Sequence, residues 1–345
     1  MKTITKLGKK AFLFICLTLS FLMVTSTITA LVYQSEFPSL YTNSSNLHID
    51  AVTDKEVYGL GEIVRIYMNL TYFESQVSDG LITVEIDKPT GDPYLFRVAQ
   101  TEESTIESPK VKIIEVTTTD SQGQYKGSFK RGELAYFKIS VKNEDDIERP
   151  IFLVMTIYDS YSIPIITTTV YVGSLEPEEG LTIYYSHAIP YTAYAGTAIV
   201  YVNVFDKRPR NGGVPYCPEE KVTFAITDGY TPTSGHEMSP NVASTYNISF
   251  RLHTNEGKLG NYTVYLNSNY AGEYASNSLI FNVILRGDIN EDGKVDIFDA
   301  IKLAATFGLT PSDPGWNPKA DLNGDGIIDI YDALIFAPNF GRSAD

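Results

Sequence analysis

Two twelve-residue runs near the C-terminus carry the clearest chemistry in this chain. Asp288–Asp299 reads DINEDGKVDIFD and Asp321–Asp332 reads DLNGDGIIDIYD. Oxygen-bearing side chains stand at positions 1, 3, 5, 9 and 12 of each run. They are Asp288, Asn290, Asp292, Asp296 and Asp299 in the first, and Asp321, Asn323, Asp325, Asp329 and Asp332 in the second. Position 6 is Gly293 or Gly326, where a loop of this length must turn sharply. Position 7, Lys294 or Ile327, offers only its backbone carbonyl, so its side chain is free to vary. A hard cation such as Ca²⁺ takes about six to eight oxygens at roughly 2.3–2.6 Å, and these loops supply oxygens alone. Neither loop holds Cys or His, so zinc and copper are poorly served. Magnesium, with its tighter octahedron, would leave carboxylates idle. The expectation is one Ca²⁺ per loop, two ions in all.

The loops begin 33 residues apart, and 287–308 matches 320–341 at 11 of 22 positions, which marks a duplicated unit and not an accidental acidic turn. Short helices are predicted after each loop, over Asp299–Phe307 and Asp332–Phe336, while Val283–Arg286 finishes a strand before the first. A calcium loop with an exiting helix, present twice, resembles the type I-like dockerin family. The resemblance covers Gly287–Arg342 and makes 287–345 a small α-helical calcium module. It implies a module that folds on calcium and docks on a cohesin-like partner. Recognition is implied at loop positions 10 and 11, here Ile297 and Phe298, Ile330 and Tyr331, and along the exiting helices. Many dockerins carry a Ser-Thr type pair there, whereas these pairs are bulky and apolar, so no borrowed specificity follows. Phe298 and Tyr331 suit docking anchors. For Ile297 and Ile330, core packing stands as an equal reading. Duplication implies docking in two orientations, although Pro338 should interrupt the second helix. Trp316, the only tryptophan, is expected to plug the space between the repeats. Four basic residues against eleven acids give 287–345 a net charge of -7, so a metal-free module should be loose or unfolded.

The body that carries this module reads as strands. Between Asn46 and Val283, short β-rich runs such as Ile63–Leu70, Leu81–Ile86, Tyr136–Val141, Thr197–Phe205 and Asn261–Leu266 alternate with Gly, Pro, Asn and Asp clusters. In the first of these, Val64, Ile66, Met68 and Leu70 share one face. Such spacing points to antiparallel β-sandwiches. Lys55, Tyr58, Gly61 and Glu62, followed by Val84, Ile86, Pro89 and Gly91, resemble the immunoglobulin-like modules of bacterial and archaeal surface proteins. The strands that should follow appear much later, in Thr245–Leu252, Leu259–Leu266 and Leu279–Val283. Neither part alone is large enough to bury a core. The expected organisation is therefore a discontinuous immunoglobulin-like sandwich, 47–103 plus 240–285, with an adhesion-type β-sandwich inserted at 108–230. Three modules in simple succession are the alternative. The fold class is all-β, two immunoglobulin-like sandwiches followed by the dockerin-like module.

The whole chain has 345 residues and a net charge of -15; without its first thirty, 23 basic residues face 42 acids, or -19. That field repels phosphate backbones, so nucleic acid is not an expected partner. Lys2–Lys10 and the apolar run Ala11–Val24 form a leader of the secretory type, with cleavage after Ala30 or Ser26, giving a 1–30 signal peptide. An uncleaved anchor is the alternative, and no second apolar run of membrane length occurs. Export gives meaning to the sequons at Asn43, Asn69, Asn247 and Asn261. Cys16 lies in the leader, so Cys217 has no partner for an internal disulfide in the cleaved chain. The histidines His48, His187, His236 and His253 are scattered, and Glu144-Asp145-Asp146 and Glu176/Glu178/Glu179 sit in turns as solvated charge. Tyr184, Tyr185, Tyr191, Tyr194 and Tyr201 are either strand residues or a sugar platform, so a surface glycan is a second candidate partner. The leading function is a secreted or cell-surface, non-catalytic protein that docks through calcium. The alternative is a carbohydrate-binding or polysaccharide-degrading component of a cohesin–dockerin complex, a glycoside hydrolase if it is an enzyme.

Overall fold

A computed structural model of the chain describes residues 46–101, 103–104, 109–228, 246–254 and 257–343. The leader, Asn43, His236 and the segments 105–108 and 229–245 lie outside these residues. Strand makes up 50% of the chain and helix 8%, and both described α-helices lie near the C-terminus, so the protein is mostly β.

One sheet has the order β1 (Leu47–Thr53), β3 (Ile63–Tyr72), β15 (Tyr246–Arg251), with the short β4 (Ser75–Gln76) also on β3. The sheet facing it runs β2 (Val57–Gly59), β17 (Glu273–Ile284), β16 (Gly260–Tyr270), β5 (Ile82–Asp87), β6 (Pro93–Ala99). Residues late in the chain thus complete sheets begun by early ones. Tyr246–Arg251 lies antiparallel to Ile63–Met68, and Thr263–Asn267 lies antiparallel to Thr83–Asp87. Alternation drives the burial: in β3, Val64, Ile66, Met68 and Leu70 point into the core, while Arg65, Tyr67 and Asn69 do not. Phe281 centres that core, its ring 5.4 Å from Tyr58, 5.3 Å from Tyr262 and 6.4 Å from Phe250.

Residues 111–226 build the second pair of sheets. Its larger sheet runs β11 (Pro164–Leu175), β10 (Arg149–Tyr158), β13 (Gly196–Phe205), β14 (Glu220–Ile226), β8 (Ser128–Phe129). The smaller runs β12 (Gly180–Ala188), β9 (Leu134–Asn143), β7 (Val111–Thr119). Phe129, Phe137 and Phe224 meet between them with Ile139, Val200 and Cys217. Burial there pushes the Cys217 thiol up to about 11.

The two sheet pairs are clamped together along β6. Leu81, Phe96 and Val98 pack on Val154 and Phe205 of the second pair. Beside them Arg97 forks onto Glu219 with two 2.8 Å hydrogen bonds and lies 3.5 Å over the Tyr201 ring. Farther along, Arg208 donates to Glu85 (2.7 Å) and Arg210 to Asp87 (3.2 Å). The helices are α1 (Ile297–Ala305) and α2 (Ile330–Phe336). Each begins two residues earlier than the sequence suggests, for a capping reason given below.

Arg97→Ala should strand Glu219, which is almost wholly buried, and lower stability by roughly 3–5 kcal/mol, seen as a shifted urea midpoint. Cys217 should resist a thiol reagent in the native protein at pH 8, where its thiolate is about one part in a thousand, and react once urea unfolds it.

Candidate calcium centre and docking face

Strand β17 ends in Ile284, and the chain enters the first loop within four residues, at Asp288. Gly287 makes the bend at φ +98°, and a Cβ there would crowd Phe336 and Val295, each at 3.1 Å. The loop then closes on the carboxylate at its last position. Asp299 Oδ1 accepts from the N–H groups of Ile289 (2.8 Å) and Asn290 (2.9 Å), and its Oδ2 accepts from Asp296 N (2.9 Å). Asp296 in turn accepts from Phe298 N (2.8 Å), which completes a capping box for α1. That box is why the helix starts at Ile297: the last three loop residues already lie in its first turn. Asp332 repeats the pattern with Leu322 N (2.7 Å), Asn323 N (3.1 Å) and Asp329 N (2.7 Å), and Asp329 accepts from Tyr331 N (2.8 Å).

The remaining loop oxygens are held from below by backbone N–H groups. Asp288 accepts from Asp292 N (3.1 Å) and Gly293 N (2.9 Å); Asp321 accepts from Gly324 N (2.9 Å) and Gly326 N (3.0 Å). Asp292 accepts from Lys294 N (3.0 Å) and from the side-chain amide of Asn290 (2.8 Å); Asp325 accepts from Ile327 N (2.9 Å) and from the side-chain amide of Asn323 (2.9 Å). Gly293 and Gly326 take φ of +83° and +86°. Carboxylate oxygens of Asp288, Asp292 and Asp299 lie within 4.8 Å of one another, the one such group among the described residues. Oxygens gathered that closely could be shared by one hard cation with about 2.4 Å bonds. The equivalent trio in the second loop, Asp321, Asp325 and Asp332, does not reach this spacing.

Each loop is also zipped to the other repeat. Val295 exchanges hydrogen bonds with the 341–342 backbone (2.7 and 2.9 Å), and Ile328 does so with 308–309 (2.7 and 3.1 Å). Both side chains are fully buried, and Trp316 packs half-buried against the same core. Position 10 and 11 residues point away from it. Ile297, Phe298, Ile330 and Tyr331 are 57–61% exposed, so core packing does not describe the isoleucines. One turn on, Ile301 and Leu334 join them at 57% and 63%; helical spacing from Ile297 and Ile330 would have found both. Pro338 lies in a 3₁₀ turn, Ala337–Asn339, that follows the end of α2.

The other residues singled out in the sequence do not converge. Asn69 and Asn247 are half-buried on strands of one sheet, and Asn261 is exposed at the start of β16. Glu144 pairs with Lys112, Asp145 with Arg149 and Glu178 with Lys142, all in turns. Tyr184 and Tyr191 are exposed, whereas Tyr201 is buried under Arg97, so the tyrosines form no common platform.

Residues 286–338 match the family described as the dockerin type I domain. This segment is a dockerin domain. Dockerin domains bind calcium and dock on cohesin partners. No curated protein sequence matches the chain. Among solved structures it is similar in part to the Pseudomonas fluorescens alkylpurine DNA glycosylase AlkC bound to DNA with an abasic-site analog (14% identity, 35% of this chain, TM-score 0.28). It is also similar to the C-terminal domain of Wzt (12% identity, 41% of this chain and 89% of that one, TM-score 0.32). A third is the β-glucosidase of Listeria innocua (14% identity, 41% of this chain, TM-score 0.24). The chain spans 32% of the glycosylase and 17% of the β-glucosidase.

Each calcium ion bound should stabilise the dockerin segment by about 2.7 kcal/mol at a hundredfold excess over its Kd. Hydrogen exchange is the measurement: protection over 286–343 should rise with calcium, fall with chelator, and no longer respond in an Asp288→Ala, Asp321→Ala variant.

Proposed function

We propose that this is a secreted or cell-surface, non-catalytic protein. Its dockerin domain attaches it to a cohesin-bearing partner and so presents the β-sheet body. The observation that carries the reading is the dockerin match at 286–338 together with two equivalent apolar triplets, Ile297/Phe298/Ile301 and Ile330/Tyr331/Leu334, left on its surface. Asp288, Asn290, Asp292, Asp296 and Asp299, with the Lys294 carbonyl, would hold one calcium ion. Asp321, Asn323, Asp325, Asp329 and Asp332, with the Ile327 carbonyl, would hold a second. The bound ions would neutralise the carboxylates gathered in each loop. The chain's own contribution is positional: Asp296 and Asp329 cap the helices and thereby aim the aromatic side chains outward.

In this reading 47–103 and 240–285 make one immunoglobulin-like sandwich with an adhesion-type sandwich, 108–230, inserted. The register that brings β15, β16 and β17 to β3 and β5 supports it. Leader 1–30 would direct export, and a host that glycosylates exported protein would modify Asn43, Asn69, Asn247 and Asn261.

The test is affinity capture from a host surface extract, with calcium or chelator, followed by titration of the retained cohesin-containing protein. Phe298→Ala with Tyr331→Ala should weaken that complex by at least about thirtyfold, some 2 kcal/mol. A dockerin that folds with calcium yet retains no cohesin would remove the docking reading.

A further inference from the structure

A cleft of about 430 Å³ opens where the 59–62 turn, the loops carrying Tyr161 and Tyr194, and the end of α2 meet. That is the size of a small-molecule site. Two arginines stand in it on consecutive carbonyls of one turn. Arg342 Nη1 donates to Leu60 O (2.9 Å) and to Asn339 Oδ1 (2.6 Å). Arg251 Nη1 donates to Gly61 O (2.7 Å) and its Nε to Tyr161 O (3.2 Å), with its guanidinium 4.0 Å over the Tyr161 ring. Gly61 between them has φ +80°, and a Cβ there would lie 2.8 Å from the Thr254 methyl and 3.8 Å from Arg342 Nη2.

What distinguishes the pair is that, among the described residues, neither makes an ion pair. Among the described residues neither guanidinium contacts a carboxylate, in a protein whose net charge is -15. Glu62 also lines the cleft but is taken by Arg286 and Lys55. Asp159 lies behind Tyr161 and spends its oxygens on the N–H groups of Tyr161, Ile163 and Tyr194. Burial lowers the pKa of both arginines, and the field of Asp159 offsets this only in part at Arg251. Arg251 Nη2 and Arg342 Nε and Nη2 have no acceptor among the described residues and are held by the bonds their neighbouring nitrogens make. Preset guanidinium donors suit a planar carboxylate.

We infer that this cleft binds a carboxylated sugar of the hexuronate class, its carboxylate on Arg251 and Arg342 and its ring beside Tyr194. A lone acidic side chain would leave most of the volume to water, whereas a pyranose ring bearing a carboxylate uses both the arginines and the tyrosine wall, Tyr194 lying 4.8 Å from Tyr161. The inference is independent of cohesin docking.

The experiment is saturation-transfer NMR and titration on the calcium-loaded mature protein, using methyl glucuronide, methyl glucoside and acetyl-glutamyl amide as probes. Methyl glucuronide should bind with a salt-sensitive affinity at least about tenfold above that of the glucoside, which lacks only the carboxylate. Arg342→Gln and, separately, Tyr194→Ala should each weaken it about tenfold or more, with the melting temperature recorded for both. Tyr194→Ala removes the ring without touching the arginines, so it separates binding from any loosening of the Leu60 contact. Equal binding of the glucoside, indifference to both variants, or no binding at about 10 mM overturns the site. Acetyl-glutamyl amide binding as tightly as the glucuronide overturns the sugar and leaves a protein carboxylate as the occupant.

Discussion

Two buried aspartates organise the end of this chain. Asp299 and Asp332 are fully enclosed, and each takes three backbone N–H groups from its own loop. Hydrogen bonds of this kind satisfy the carboxylate oxygens that burial takes from water. They also fix the loop around it: the start, the position 9 residue and the first helical turn all converge on one side chain. The direction in which Ile297, Phe298 and Ile301 point is a consequence. They lie in the first turns of a helix whose N-terminus the carboxylate sets, so the acidic loop and this exposed apolar face are two sides of one constraint. Three carboxylates within 4.8 Å also repel one another, and a divalent ion held by Asp288, Asp292 and Asp299 would offset that repulsion.

The dockerin domain is not hung on a linker. Ile289, Leu322 and Phe336 belong to the same apolar cluster as Leu60, Leu285 and Phe281 of the first sheet pair. Arg286 reaches Glu62 on one side and the Leu322 carbonyl (2.9 Å) on the other, and Arg342 returns from the C-terminal end to Leu60. A partner docked on α1 or α2 would therefore hold the first sheet pair at a set attitude. The second pair follows through the apolar contact and buried ion pair along β6.

How much of this was legible depended on distance along the chain. The loops could be read because all their oxygens fall within twelve residues, and β3 because alternation is local. The earlier helix starts were also within reach: Asp-x-x-Asp at 296–299 and 329–332 is a capping box in carboxylate form. Ile301 and Leu334 needed only the helical period continued one turn. By contrast, Arg97 and Glu219 are 122 residues apart, and Arg251 meets Gly61 from 190 residues away. No periodicity carries such pairs, and a charged residue in a strand or turn looks solvated until the sheets are stacked. The five tyrosines do not gather into one platform for the same reason: Tyr184 and Tyr191 end exposed and Tyr201 buried.

The abundance of tyrosine has a structural explanation instead. Cys217 is the one cysteine among the described residues, so no disulfide ties their loops to the cores. Buried tyrosines do this with their hydroxyls. Tyr58 donates to Asp54 (2.6 Å) and accepts from Lys55 N (3.0 Å); Tyr246 accepts from Gly80 N (2.9 Å); Tyr262 accepts from Lys258 N (3.1 Å). Tyr94 donates to the Arg251 carbonyl (3.0 Å) and accepts from His253 N (3.1 Å). In each case the ring fills the space between sheets and the hydroxyl holds a turn. A phenylalanine would keep the packing but lose those hydrogen bonds, at about 1 kcal/mol each. The Tyr94 contact holds the backbone at both ends of the 251–253 segment that carries Arg251. The same economy of tyrosine that replaces cross-links in the core therefore also sets Arg251, one of the two arginines in the junction cleft.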